Sequence, residues 1–235
     1  MIGFDLLMPQ ESNTHFYGVT IGIVTNNQDP DNLGRVKVKY PWLSDKEESH
    51  WARVLTPMAG KDRGIYFLPE IDDEVLLAFE QGDINFPYIL GALWNGKDKP
   101  PAKNTDGKND QRLIKSRSGH QIIFDDTKGK EQMVIQDKTG KNKIVINSQD
   151  NQMNIAVDGD LNITAKGKIV INSSDEDIVI ECKNLSIKTK ENYQLEAGKD
   201  CTVKAKAKYE LESKSGLGIK CSAGVKVNNG TLEVM

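Results

Sequence analysis

The segment from Met153 to the C-terminus repeats every eight residues, and this repeat constrains the fold more than any other feature of the chain. Divided into eight-residue units, here called octads, it reads MNIAVDGD, LNITAKGK, IVINSSDE, DIVIECKN, LSIKTKEN, YQLEAGKD, CTVKAKAK, YELESKSG, LGIKCSAG and VKVNNGTL, followed by EVM. The first position is mostly apolar and the fifth is often small. The third position is aliphatic throughout, as Ile155, Ile163, Ile171, Val179, Ile187, Leu195, Val203, Leu211, Ile219 and Val227. Apolar residues at positions one, three and five predict a short β-strand followed by a polar corner, and therefore a stacked β-helix.

Two kinds of β-helix are compatible with such a repeat. A single-chain solenoid usually has about 20–29 residues per coil, and its faces differ from one another. Here every strand carries the same pattern, which is expected if three chains wind together and each octad crosses one face of a triangular prism. Each octad would then advance the prism by about 4.8 Å, the spacing of paired strands. We therefore favour an obligate homotrimer, with the third-position residues in its core, over a monomeric solenoid.

One octad is irregular. In the unit that begins at Asp177, either Val179 or the set Ile178, Ile180 and Cys182 can face inward. A shift of one residue exchanges the two faces of a strand. The next octad restores the phase, so we expect a local bulge after Glu176.

Composition restricts the functional class. The chain has 235 residues, 37% hydrophobic and 28% charged, and a formal net charge of −3. No apolar stretch is long enough to span a membrane. Residues 16–95 contain seven Lys and Arg against twelve Asp and Glu, which argues against nucleic acid as a partner. Because the cysteines lie within the octads, two of them at inward positions, we interpret Cys201 and Cys221 as small apolar fillers.

The remainder of the chain divides by pattern into four segments: an N-terminal arm (1–15), a compact β domain (16–95), a linker (96–117) and transition strands (118–152), which lead into the octads (153–235). Within the β domain, alternating residues predict strands, with Val36 and Val38 inside the second of them. Five or six short strands in eighty residues favour a closed barrel such as an OB-fold. The predicted strands are Val19–Val24, Arg35–Tyr40, Trp51–Leu55, Gly64–Leu68, Glu74–Glu80 and Tyr88–Leu93, with transition strands at Gln121–Phe124, Met133–Ile135 and Ile144–Ile146.

Several stretches resemble the central spike proteins of contractile injection machines, which include phage baseplate assembly protein V and the spike module of VgrG-type proteins. They are DPDNLGRVKVKYPWL at Asp29–Leu43, WARVLTPMAGKDRGIYFLPEIDDEVLLAFEQGDINFPYILGALWNGKDKPP at Trp51–Pro101, SGHQIIFDDTKGKE at Ser118–Glu131, and the octads. The resemblance implies an OB-fold hub followed by an intertwined trimeric β-helical needle. One departure is visible, because Asp72 stands where the family pattern usually has Gly. Asp tolerates tight-turn geometry, so we expect only a local change there.

Candidate catalytic groups are sparse. His15, His50 and His120 are far apart and lack metal-ligand spacing, and the acidic run from Asp72 to Glu74 is typical of a solvated turn. Ser118 and His120 are neighbours in sequence, which does not constitute triad geometry. We therefore expect no catalytic residue, no metal and no cofactor. Some spikes of this family bind a metal at the needle tip through paired histidines, and this chain has no His after position 120.

The resemblance implies a mechanical function rather than an enzymatic one. We expect a homotrimeric spike at the front of the inner tube, attached through its OB end to a separate hub or tube protein and passing through the target membrane. The apolar residues Leu232, Val234 and Met235 are candidates for docking a PAAR-like tip protein. Without a secretory signal, the chain would be made in the bacterial cytoplasm, built into the baseplate and expelled on contraction. The alternatives are a β-helical carbohydrate-active enzyme and a nucleic-acid-binding OB module with a trimerising tail.

Overall fold

The computed structural model describes residues 15–43 and 48–225. Contacts divide the chain into two units, residues 1–164 and 165–235. Within the described residues no helix has the length and apolarity needed to cross a membrane. The fold class is all-β as predicted, and the described part has a single 3₁₀ turn at Glu80–Gly82. The strands are β1 Thr20–Asn26, β2 Lys37–Lys39, β3 Arg53–Val54, β4 Ala59–Gly60, β5 Arg63–Gly64, β6 Glu74–Phe79, β7 Pro87–Ala92, β8 Gln111–Lys115, β9 Gln121–Asp125, β10 Gln132–Gln136, β11 Lys143–Asn147 and β12 Gln152–Ala156.

Five of these strands close into a barrel. β1 pairs with β2 and with β6, and β6 pairs with β7, all antiparallel, while β7 pairs with β3 in parallel. The two ends of this sheet meet at a bridge between Val36 and Ala52, whose N–H groups donate to each other's carbonyls at 3.1 and 2.7 Å. The resulting closed order is that of a five-stranded OB-fold.

The barrel interior follows the alternation of the strands. In β6 every second side chain is buried, and Val36 and Val38 have no exposed surface, as predicted. β-Branched residues are well suited to such a half-buried pleated surface. The complete buried apolar set is Val24, Val36, Val38, Tyr40, Ala52, Val75, Leu77, Phe79 and Ile89.

The strand predicted at Gly64–Leu68 is wrong. Only Gly64 belongs to a strand, in the two-residue hairpin β4–β5, and Ile65, Tyr66 and Phe67 lie outside it with exposed side chains. The reason is local, because Gly64 has φ = 152° and a Cβ there would lie 2.5 Å from the carbonyl oxygen of Met58. Only glycine fits there. The hairpin continues by one hydrogen bond, from the N–H of Ile65 to the Met58 carbonyl at 3.1 Å, and the apolar run leaves it after that contact.

The second sheet is a five-stranded antiparallel meander, β8 to β12, in which each strand pairs with the next. Two boundaries differ from the prediction. Residues 111–115 of the predicted linker form β8, which pairs with β9 along its whole length. β12 contains the start of the first octad, so the octad pattern begins inside this sheet.

The predicted turns between these strands are held by aspartates. In the turn after β9, the backbone N–H of Thr127 donates to Asp125 at 3.0 Å. In the turn after β10, Thr139 donates its N–H and its hydroxyl to Asp137 at 3.1 and 2.7 Å. The side-chain hydrogen bond from Thr139 contributes most, and that from Asn142 next, to lowering the pKa of Asp137 to about 2. These are the local side-chain turns that Asp favours.

The turn between β1 and β2 is organised by the buried side chain of Asp29. The Arg35 guanidinium donates two hydrogen bonds to this carboxylate, at 2.8 and 2.7 Å. The backbone N–H groups of Asp31 and Leu33 donate to it at 3.1 and 3.0 Å. The Arg35 fork, supported by these backbone donors, holds the pKa of Asp29 well below its usual range.

The turn that enters β6 requires a left-handed residue. Asp72 has φ = 73°, in the region where glycine is favoured. Its N–H donates to the carbonyl of Val24 at 2.9 Å, and the N–H of Val24 donates to the carbonyl of Asp73 at 3.0 Å. Asp72 therefore adopts the tight-turn geometry expected of a residue at the family's glycine position.

We predict that Asp29 makes the barrel sensitive to acid. A depressed carboxylate pKa contributes stability that is complete above the ordinary value of about 4 and is lost as the pH falls through that value and below it. Asp29→Asn should lower the thermal unfolding midpoint at pH 7 and flatten its decline between pH 5 and pH 2, followed by near-UV circular dichroism of the barrel tryptophans. Arg35→Lys, which keeps the charge but loses the fork, should give an intermediate effect. Parallel curves for wild type and Asp29→Asn would contradict the assignment.

We also predict opposite effects of two substitutions at Asp72. Asp72→Gly should leave the free energy of unfolding unchanged or raise it, because glycine adopts positive φ without strain. Asp72→Val should lower it by about 1–2 kcal/mol, the cost of a left-handed conformation for a residue with a branched Cβ. Denaturant titration of the two variants side by side measures the difference, and equal stabilities would refute the role of the turn.

Candidate subunit interface

The backbone of residues 165–225 bends at an interval of eight residues. The bends fall at octad positions six and seven, where the sequence has no β-branched or aromatic residue, and one of them extends to position eight at Glu176. The segments between the bends are extended. Residues with low strand propensity favour corners, and the alternating apolar residues favour the straight segments. The predicted strand-and-corner unit therefore has its counterpart in the backbone. The bends lie at 166–167, 174–176, 183, 190–191, 198–199, 206–207, 214–215 and 222–223.

The backbone polar groups of this unit have no partner within one chain. Over the described residues 165–225 no strand is hydrogen-bonded to another, and no turn or loop hydrogen bond joins two backbone groups. Extended segments normally pair their N–H and C=O groups with adjacent strands. The octads therefore present open strand edges on both sides, which is the arrangement that a second chain can pair with.

The predicted core residues are exposed in one chain. Nine of the ten third-position residues lie in the described part, and their exposed fractions run from 56% for Ile155 to 78% for Ile171. Val227 and the predicted docking residues Leu232, Val234 and Met235 lie outside the described residues. This many exposed aliphatic side chains at regular intervals indicate an interaction site.

One octad displays its apolar face directly. Leu185, Ile187 and Thr189, at positions one, three and five, line an open recess of about 270 Å³ together with Tyr193 of the following octad. Lys188, at position four between them, does not line it. In this octad positions one, three and five thus border one recess, and their assignment to a trimer core stays a prediction.

The irregular octad at Asp177 keeps the eight-residue phase. The bend before it is widened to 174–176 and the bend within it is narrowed to Lys183, after which the regular spacing resumes. Ile178, Val179 and Ile180 are all more than half exposed in the single chain. The choice between the two inward sets stays a prediction.

The apolar surface of the octads has a counterpart on the second sheet. Met153 and Ile155, at positions one and three of the first octad, lie opposite Ile146 and Ile144 of the neighbouring strand β11. The same face continues over β10, β9 and β8, and most of its large side chains are exposed. They are Ile114, Ile122, Phe124, Met133, Ile135, Ile146, Met153 and Ile155. The first octad therefore belongs both to the repeat and to an uncovered sheet face.

The barrel carries a further apolar surface that the sequence analysis missed. Tyr66, Phe67 and Leu55 are 75%, 68% and 64% exposed. Tyr66 and Phe67 border a recess of about 650 Å³ beside the β4–β5 hairpin. The apolar run after Gly64 could have indicated this surface, but we interpreted it as a barrel strand. Its side chains at 65–67 are exposed to solvent. We call this region the barrel patch.

Two of the segments considered for catalysis, Ser118–His120 and the acidic run from Asp72 to Glu74, lie at turns. The hydroxyl of Ser116 accepts the backbone N–H of His120 at 3.0 Å, so the Ser118–His120 segment is a turn. The carboxylate of Asp73 accepts the backbone N–H of Glu70 at 2.8 Å. Among the described residues no group of three or more His, Cys, Asp or Glu side chains is placed to hold a metal, and the three cysteines are unpaired and exposed.

Comparison with known proteins relates the barrel to a family. Residues 20–94 match the type VI secretion system/phage-baseplate injector OB domain. The spike protein VgrG3 of the type VI secretion system of Vibrio cholerae is 32% identical over 109 residues, which cover 43% of this chain and 11% of the relative. The spike protein VgrG1a of Pseudomonas aeruginosa is 34% identical over 113 residues, covering 43% of this chain and 17% of the relative. The actin cross-linking toxin VgrG1 of V. cholerae is 31% identical over 109 residues, 10% of its length.

The chain thus spans only a small part of these relatives, between 10% and 17% of their lengths. The match agrees with the barrel topology, because the matched residues begin with β1 and extend just past β7. Residues 20–94 are therefore similar to the injector OB domain of type VI secretion systems and phage baseplates, and over 43% of its length the chain is similar to a type VI secretion spike protein.

Proposed function

We propose that this chain is the structural spike of a contractile injection machine. In this role three copies form a needle from their octads, and the contracting sheath drives the needle through the envelope of the target cell. The observation that carries the proposal is the unpaired octad segment. In the described residues 165–225, neither the backbone polar groups nor the third-position side chains have a partner in one chain. The relationship of the barrel to spike proteins supports the same function.

Three intertwined copies satisfy both requirements together. Each extended segment would gain a hydrogen-bonded neighbour on either side, and the odd octad positions would meet around a common axis. Burial of one such aliphatic side chain stabilises a fold by about 1.5–3 kcal/mol. Because the strands of different chains would interlock, unfolding would require the loss of many hydrogen bonds at once, and kinetic stability would be high. This is the property that a piercing structure needs.

The mechanical function makes this chain a structural protein rather than an enzyme. One relative is named an actin cross-linking toxin, but the match covers 10% of that protein, and the other two are named spike proteins. Force transmission depends on folded contacts and requires no titratable pair, metal or cofactor. The free, exposed cysteines at octad positions one and five would serve as small core residues in the trimer.

The barrel patch is the proposed attachment point for a separate baseplate or tube protein. Its exposed side chains, Tyr66, Phe67 and Leu55, include the aromatic residues that are enriched at protein interfaces. Assembly into a baseplate would cover them. In this scheme the spike is made in the bacterial cytoplasm, incorporated into the particle and expelled when the sheath contracts.

The mass of the purified chain tests the proposal. Light scattering at micromolar concentration should report a particle of three times the single-chain mass of 26.1 kDa. Negative-stain images should display a thin needle with a bulb at one end. Injection particles that lack the chain should fail to breach target cells, and the full-length chain should restore them. A well-folded monomer would refute the proposal.

A matched pair of substitutions tests the inward face. Leu195→Asp places three carboxylates around one narrow axis and removes apolar burial worth about 1.5–3 kcal/mol per copy, so the trimer should dissociate or fail to assemble. Gln194→Asp introduces the same charge on the neighbouring outward position and should change stability by less than about 0.5 kcal/mol. Thermal dissociation followed by native electrophoresis measures both. Equal losses would mean that the faces are assigned wrongly.

The apolar residues Leu232, Val234 and Met235 are the proposed docking point for a small PAAR-like tip protein. Three neighbouring copies would form an exposed apolar patch, the kind of surface that binds partners. Replacing Leu232 and Val234 with Ser should leave the trimeric mass unchanged and abolish capture of the tip protein in a pull-down. Undiminished capture by this variant would exclude these residues as the docking point.

A further inference from the structure

We propose that neighbouring copies pair in one register, in which each octad lies beside the next octad of an adjacent copy, and that alternating charges on the outer face fix this register. The inference rests on the proposed trimer and specifies which octads meet in it. We call these side chains the charge ladder. They occupy octad positions four, seven and eight within the described residues 165–225.

Position four carries the longest run. Its residues in five successive octads are Lys188, Glu196, Lys204, Glu212 and Lys220, which alternate strictly in sign. Side chains alternate along a strand, so position four lies on the face opposite positions one, three and five, and in the octad of Lys188 it is Leu185, Ile187 and Thr189 that line the apolar recess. Such an alternation brings opposite charges together when successive octads lie on neighbouring strands.

The corner at position seven repeats the alternation. Asp175, Lys183, Glu191 and Lys199 again change sign from each octad to the next. They lie at the bends of the backbone, and all four are exposed. Two outward positions therefore carry the same pattern independently, in overlapping parts of the segment.

Position eight contributes two further pairs, Lys168 with Glu176 and Asp200 with Lys208. Within residues 165–225 the structure contains a single ion pair inside one chain, between Lys208 and Glu210 at 2.8 Å. The other charges of the ladder thus have no partner of opposite sign in their own chain. They are available to side chains of a neighbouring copy.

The spacing of the charges separates two kinds of β-helix. In a trimer with the proposed register, neighbouring strands carry residues eight apart in sequence. Within residues 165–225, charged residues at this spacing have opposite signs in nine pairs and like signs in one, Lys206 with Lys214. In a single-chain solenoid of three octads per coil, neighbours are 24 apart. At that spacing three pairs are opposite and three are alike, so the charges select the register between chains.

The same charges oppose a slipped register. Parallel strands in register bring equivalent positions to about 4.8 Å, where opposite charges attract and like charges repel. A slip by one octad would pair residues sixteen apart, and all six charged pairs at that spacing within residues 165–225 have like signs. The ladder therefore stabilises one register and destabilises the nearest alternative, as specific interfaces do.

Disulfide trapping tests which octads meet. Lys204→Cys combined with Glu212→Cys places two thiols at equivalent positions of successive octads, within the Cα separation that a disulfide spans. Because residue 204 of each copy then faces residue 212 of the next, mild oxidation should produce a closed covalent trimer on a denaturing gel. Lys204→Cys with Lys220→Cys, two octads apart, should yield none. Wild type is the background control, because copies of Cys201 or Cys221 would meet around the proposed axis and any crosslink through them must be subtracted.

Charge reversal provides a second test that does not depend on oxidation. Lys204→Glu creates a run of three glutamates with Glu196 and Glu212, and it should lower the midpoint of thermal dissociation. Lys206→Glu makes the same change in net charge two residues away but removes the one like-charged pair, with Lys214, and it should raise the midpoint. The two variants should differ by at least about 3 °C at low salt, and 1 M NaCl should reduce the difference.

The outcomes distinguish this inference from the proposed function. The charge ladder is supported if the native mass is that of three chains and if, of the two cysteine pairs, only Lys204→Cys with Glu212→Cys forms covalent trimers. A trimer that crosslinks through 204 and 220, or equal midpoints for Lys204→Glu and Lys206→Glu, overturns the register and leaves the spike intact. A monomeric chain that crosslinks within itself through Lys188→Cys and Glu212→Cys, three octads apart, refutes the trimer and the ladder together.

Discussion

The extended backbone of the octads needs hydrogen-bond partners, and the proposed function depends on where those partners come from. Residues 165–225 run as straight segments separated by bends, and in this described part no segment pairs with another. Here the backbone groups are left to water and the aliphatic side chains are exposed, so a single chain gains little by ordering this segment, whereas an assembly could bury both. The proposed trimer meets both requirements with the same contacts, so assembly and folding of the octads become one process.

The barrel meets its own requirements inside one chain. The bridge between Val36 and Ala52 joins the two ends of the sheet, and the buried Asp29 fixes the turn through the Arg35 fork. Closure pairs β1, β6 and β7 on both sides. The end strands β2 and β3 are short and are joined by the Val36–Ala52 bridge. The barrel thus closes its own sheet within one chain, whereas the octads leave their strands open.

Sequence reasoning succeeded where local pattern decides structure. Alternation placed Val36 and Val38 inside the barrel, and the octads gave the period of the bends. It failed where pairing decides. β8 has only Leu113 and Ile114 as apolar residues within a polar stretch, and it is a strand because β9 lies beside it. The run after Gly64 has the composition of a strand, but its backbone pairs with the hairpin only through the N–H of Ile65 and the Met58 carbonyl and then leaves it.

The regularity that makes the octads recognisable also removes information from their core. Position three is aliphatic in every octad. A copy displaced by one octad therefore still places Ile or Val beside Ile, Val or Leu, and the apolar contacts scarcely distinguish the displaced register from the original one. Register must then be specified elsewhere. The outward positions are free of packing constraints and can differ between octads, and Lys188, Glu196, Lys204, Glu212 and Lys220 do so in alternation. In the proposed spike, apolar positions would supply cohesion and charged positions would supply alignment, so that the outer surface of the needle would determine how its core is stacked.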